Sequence, residues 1–132
     1  MNPSVSIWAR PFLVMILALA TVVWGSLPVQ AADDATFTAT EKDGAKVWEG
    51  GGTIDLKAHG SGPLLLKVKN TLTAEHGFAI DSMKVKEVIK PGEEKTISVP
   101  LENIDKTVTE HKVYCQLHPK HMTAATLKVT GN

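Results

Sequence analysis

Short runs of alternating apolar and polar residues, broken about every ten residues by glycine or proline, fill the chain from residue 36 onward and leave little room for helix. The run at 64–70 is the clearest. Leu64, Leu66 and Val68 fall on one face, Leu65, Lys67 and Lys69 on the other, as one half-buried strand requires. Weaker alternation covers 36–40, 46–49 and 53–57, with Gly50-Gly51-Gly52 closing the second run and a turn of His59-Gly60-Ser61-Gly62-Pro63 after the third. Further strands are expected at 77–81, 85–89, 95–99, 112–115 and 126–130, with a turn at 90–94 and one helical turn at 101–105. No window sustains apolar residues at i, i+3, i+4 and i+7. Seven or eight short strands in one domain predict an all-β fold, an antiparallel sandwich or barrel.

The first 31 of the 132 residues stand apart from that pattern. Arg10 precedes an apolar run at 11–24, which breaks at Gly25, Ser26 and Pro28 and ends in Val29-Gln30-Ala31-Ala32. The run is short for a bilayer span of about 20 residues, and the small residues after it suit a signal peptidase. Residues 1–31 are therefore expected to be a cleaved Sec-type signal peptide rather than an uncleaved anchor, with export to the periplasm and no membrane insertion of the mature chain. A single arginine argues against a twin-arginine signal, and the lack of a nearby cysteine against a lipoprotein. Residues 32–132 then form the domain, in which 13 lysines face 14 acidic residues. So balanced a charge offers no basic field for nucleic acid and no acidic tail. A homo-oligomer stays open.

One cysteine rules out an internal disulfide, a CxxC redox pair and a four-thiolate zinc site. Exported thiols are ordinarily paired or committed to chemistry, so Cys115 is the residue to question. It lies in Tyr114-Cys115-Gln116-Leu117-His118-Pro119-Lys120-His121-Met122, where one thiol, two imidazoles and a thioether fall within eight residues. Thiolate, imidazole and a weak thioether together suit a trigonal copper site, whereas zinc has little use for methionine. His76, at the start of a separate strand, would supply a second imidazole. Singly, each has an ordinary explanation: a solvated histidine, a core methionine, an inert buried cysteine. Their coincidence carries the metal reading. His59, in a glycine-rich turn, and His111 are expected to be solvated surface residues.

The segments Glu75-His76-Gly77-Phe78-Ala79-Ile80, Val88-Ile89-Lys90-Pro91-Gly92-Glu93-Glu94-Lys95-Thr96 and Tyr114-Cys115-Gln116-Leu117-His118-Pro119, together with Asn70, resemble the cupredoxins, the type 1 copper proteins. The likeness runs from about residue 53 to 129 and is greatest to the red-copper, nitrosocyanin-like members. It implies a Greek-key β-sandwich holding one mononuclear Cu(I)/Cu(II) ion at one end. Nitrosocyanin-like chains carry glutamate where this one has His76, and a second loop histidine eight residues after the cysteine, where this one has Thr123. Both departures move the set toward His76, Cys115 and His118 with an axial Met122, or His121 as the alternative. The expected function is electron transfer, with no catalytic residue. Redox partner proteins would dock at the His118 loop, on an apolar patch of Leu117, Pro119, Met122 and Ala124, and Asn70 or another backbone or amide group near His76 would orient a ligand and tune the potential. The contrasting expectation is a red-copper protein with an open site for nitrogen-oxide chemistry, its metal held by Glu75, His118 and His121 with His76 turned outward. A copper carrier is the third reading.

Overall fold

A computed structural model describes Gly25, residues 32–120 and residues 122–132, so the expected signal peptide, Gly25 apart, and His121 lie outside the described residues. Nine strands form among the described residues: β1 (Ala35–Lys42), β2 (Ala45–Asp55), β3 (Leu64–Asn70), β4 (His76–Ile80), β5 (Val85–Ile89), β6 (Glu94–Val99), β7 (Glu110–Val113), β8 (Met122–Thr123) and β9 (Ala125–Thr130). A one-turn helix at Leu56–His59 and 3-10 turns at Asp81–Met83 and Leu101–Asn103 are the helical structure among the described residues. No helix among them is long and apolar enough to cross a membrane.

The strands build a Greek-key β-sandwich. They run β6-β3-β1-β2-β9-β7 with β8 beside β2, and β4 and β5 form a hairpin that joins β7's end through the Ala79–Tyr114 bridge. Direction within the sandwich is mixed. β1–β3, β2–β9 and β2–β8 pair parallel, while β1–β2, β3–β6, β4–β5 and β7–β9 pair antiparallel. Alternation of side chains fixes which face is buried and says nothing of strand direction.

The glycine tract ends no strand, contrary to the sequence expectation. β2 continues through Gly50, Gly51 and Gly52, all at φ between 100 and 122°. There the strand changes sheets: residues before the tract pair with β1 and those after it with β9. A Cβ on Gly50 would stand 2.0 Å from the Thr36 carbonyl oxygen and one on Gly51 2.6 Å from that of Thr126, so only glycine permits the close approach.

The core lies between the two layers. Leu64, Leu66 and Val68 are fully buried, as their alternation predicts. Phe78 of β4 meets Phe37 of β1 at 5.1 Å between ring centroids and Trp48 of β2 edge-on at 5.2 Å. Burying each such ring contributes about 1.5–3 kcal/mol, and the three together fix β4, which begins at His76.

Two histidines depart from expectation. His111 is fully buried, its Nδ1 2.6 Å from Ser82 Oγ. On β7 it shares a face with Val113, and the period of two turns both inward. His59 is partly buried rather than freely solvated. Its Nδ1 pairs with Asp34 Oδ1 at 2.8 Å and its Nε2 donates to the Gly62 carbonyl at 2.9 Å. With acceptors on both nitrogens, the Gly62 carbonyl first and Asp34 after it raise its pKa.

Candidate metal centre

At one end of the sandwich, the start of β4 meets the segment that follows β7. Ala79 and Tyr114 exchange both backbone hydrogen bonds, at 2.9 and 3.0 Å. Two residues back along β4 the ladder changes character. Gly77 N–H donates to Cys115 Sγ at 3.1 Å rather than to a carbonyl. The Gly77 carbonyl accepts from the Trp48 indole at 3.1 Å, so both backbone polar groups of Gly77 are fixed in the interior.

His76 and His118 flank the sulfur. Their Nδ1 atoms stand 3.9 and 3.8 Å from Cys115 Sγ, and the three donor atoms lie within 4.8 Å of one another. Both separations exceed the Gly77 N–H···S contact, and they leave room for an ion between the donors. With metal–sulfur and metal–nitrogen bonds of about 2.3 and 2.0 Å, trigonal angles require sulfur and nitrogen about 3.7 Å apart, and tetrahedral angles about 3.5 Å. The observed spacings are slightly wider than either value and close enough for the three donors to share one ion. The donor set, one soft sulfur with two imidazoles, fits copper by the same chemistry.

Burial prepares the donors. Cys115 is 1% exposed and His76 2%, while His118 is half-buried. Desolvation first, then the neighbouring His118 and Lys46, hold the His76 imidazole below its ordinary pKa, which keeps the ring neutral and able to donate a lone pair at neutral pH. His76 and His118 also line a cleft of about 340 Å³ with Gly44, Ala45, Lys46 and Ala74.

Asn70 is fully buried, and its hydrogen bonds go to residues other than the donors. Its Nδ2 donates to the carbonyls of Ala74 and Ile89 at 2.8 and 2.9 Å, and its Oδ1 accepts from Leu72 N–H at 2.9 Å. It shapes the loop that delivers His76, and Ile89 is the residue paired with His76 across the hairpin. The group that contacts the sulfur is the Gly77 amide, a backbone group beside His76 as the alternative to Asn70 had it, though the sequence did not single out the residue; a glycine directly after His76, inside a strand, is its one signal.

Met122, on β8, is 7% exposed and belongs to the core cluster. It therefore falls out of the expected exposed patch, in which Leu117 is 41% exposed. Glu75 is exposed and outside the donor group, and His76 faces inward, so a Glu75, His118 and His121 set with His76 outward is not the arrangement found.

No protein-family model matches the sequence, and neither does any curated protein. Solved structures similar to this chain include a laccase from Pediococcus acidilactici, at 14% identity and a TM-score of 0.49 over 72% of this chain and 25% of the laccase. A laccase-like multi-copper oxidase from Ochrobactrum sp. is similar at 14% identity and a TM-score of 0.48, over 72% of this chain and 26% of the oxidase. The chain thus spans about a quarter of the length of each oxidase. The reduced Cu(I) form of an amicyanin variant is similar at 9% identity and a TM-score of 0.48, covering 76% of this chain and 86% of amicyanin.

Proposed function

We propose that this chain is a cupredoxin-like mononuclear copper protein that transfers electrons and works after export to the periplasm. One observation carries the reading: the Nδ1 atoms of His76 and His118 converge on the Sγ of a buried lone cysteine, with the three donor atoms within 4.8 Å of one another. Bound copper would supply a one-electron Cu(II)/Cu(I) couple. The chain supplies everything else. His76 and Cys115 are fixed by the β4 ladder and the Phe78 core, so the donors hold one geometry in both oxidation states. Gly77 N–H stabilises charge on the sulfur. Half-buried His118, between exposed Leu117 and Pro119, offers the route by which a redox partner approaches. Met122 is the proposed axial donor, from its place on the ligand loop and its burial, with His121 as the alternative.

A buried thiolate suits retention of the metal better than delivery, which favours a shuttle over a carrier. The test is to cycle copper-loaded protein between ascorbate and ferricyanide beside a Cu(I) chelator. Electron transfer predicts that the metal stays bound and the optical spectrum returns after each cycle. Loss of copper to the chelator on first reduction would contradict it and indicate a carrier.

A further inference from the structure

The side chain of Gln116 is unexplained by the donor set. Its Nε2 donates to the Glu87 carbonyl on β5 at 2.9 Å, while its Oε1 is buried with no hydrogen-bond partner among the described residues. A buried acceptor left unpaired is costly and calls for a reason. Its position gives one. A Cβ placed on Gly77 would stand 2.1 Å from Oε1 and 2.4 Å from Cδ of Gln116, so the amide lies flat across the open face of Gly77. The φ of Gly77 is not positive, so it is the Gln116 amide, and not the backbone, that a side chain there would have to displace.

The register shows what this amide replaces. Because Ala79 pairs with Tyr114, the antiparallel ladder would next set Gly77 opposite Gln116. The chain turns away at Cys115 instead, and Gly77 N–H meets the sulfur. The Gln116 side chain then reaches over β4 to β5 and ties the ligand loop to the hairpin that the main chain no longer pairs with.

We propose that Gln116 is a positioning residue: its side chain covers Gly77 and ties the loop so that the Gly77 N–H stays aimed at Cys115 Sγ and shielded from water. The electronic consequence rests on the copper reading; the geometric claim does not. A donor on the sulfur stabilises the more electron-rich, reduced site, and hydrogen bonding around a cysteine ligand is an established lever on potential. Untying Gln116 therefore lowers the reduction potential.

The experiment begins with metal-free protein. Amide hydrogen exchange at Gly77, read by NMR, should quicken roughly two- to tenfold in Gln116→Ala, the worth of one neutral hydrogen bond, while exchange at Ala79, bonded to Tyr114, stays unchanged. In a double-mutant cycle, Gly77→Ala should lower the unfolding midpoint clearly in wild type and little in the Gln116→Ala background, where the obstructing amide is gone. Copper-loaded Gln116→Ala should then show a lower potential and a shifted charge-transfer band. Unchanged Gly77 exchange, or equal cost of Gly77→Ala in both backgrounds, would overturn the proposal. A wild type that binds Cu(II) without a charge-transfer colour would overturn the copper reading, and the exchange and coupling results would still decide for or against Gln116.

Discussion

Replacing Asn70 with alanine tests how the loop leading to His76 is held. Three hydrogen bonds disappear together, to the carbonyls of Ile89 and Ala74 and from the amide of Leu72. Their costs differ with burial. Ile89 is fully buried, so water cannot replace the donor its carbonyl loses, at about 1–3 kcal/mol. Ala74 is exposed and Leu72 half-buried, so water replaces the lost partner and each bond costs about 0.5 kcal/mol. The sum is about 2–4 kcal/mol, a fall in Tm on the order of 15 °C for a domain of this size. Denaturant unfolding of the metal-free protein reads this as a lower midpoint at unchanged slope. Asn70→Asp is the sharper variant, because it sets a carboxylate against two carbonyl oxygens and should cost at least as much. A loss below about 0.5 kcal/mol for Asn70→Ala, or a milder effect for Asn70→Asp, would refute the account of this loop.

Three further outcomes are expected. Burial lowers the pKa of His111, against a weaker opposing pull from Asp105, so below about pH 6.5 the unfolded chain takes up a proton that the folded one refuses. Stability should therefore fall as pH drops below that value, with a contribution of at most about 1.4 kcal/mol per pH unit, and His111→Leu should flatten the dependence in pH-resolved denaturant titrations. Copper should raise the melting temperature of wild type well above that of His76→Ala, since an ion bound at 1,000 times its Kd adds about 4 kcal/mol by mass action; an equal rise in both removes His76 from the site. Met122→Leu should raise the reduction potential and keep the colour, while His121→Ala changes little. A red or green wild type that turns blue on His121→Ala would reverse the axial assignment.

The sandwich was legible because burial follows a period of two. Leu64, Leu66 and Val68 sit where their alternation puts them. The same period, extended back from Val113, places His111 inside, and reading it as a solvated polar residue overrode that signal. The glycine tract was misread because glycine marks both strand ends and strand bends, and only the partner strands distinguish the two. His76, Cys115 and His118 were legible as chemistry, since few environments gather soft donors in a lone-cysteine chain. Their supports were not. The roles of the Gly77 amide, Gln116 and Asn70 depend on which backbone groups become neighbours across 38, 29 and 19 residues of chain, and local pattern carries no such distance.

The central claim is that Cys115, His76 and His118 hold copper through the cysteine thiolate. Its most direct test is the visible absorption spectrum of metal-free protein titrated with Cu(II), beside Cys115→Ser. The account predicts an intense sulfur-to-copper charge-transfer band that saturates at one equivalent and is absent from Cys115→Ser. A Cys115→Ser protein that binds copper with the same colour as wild type would contradict it.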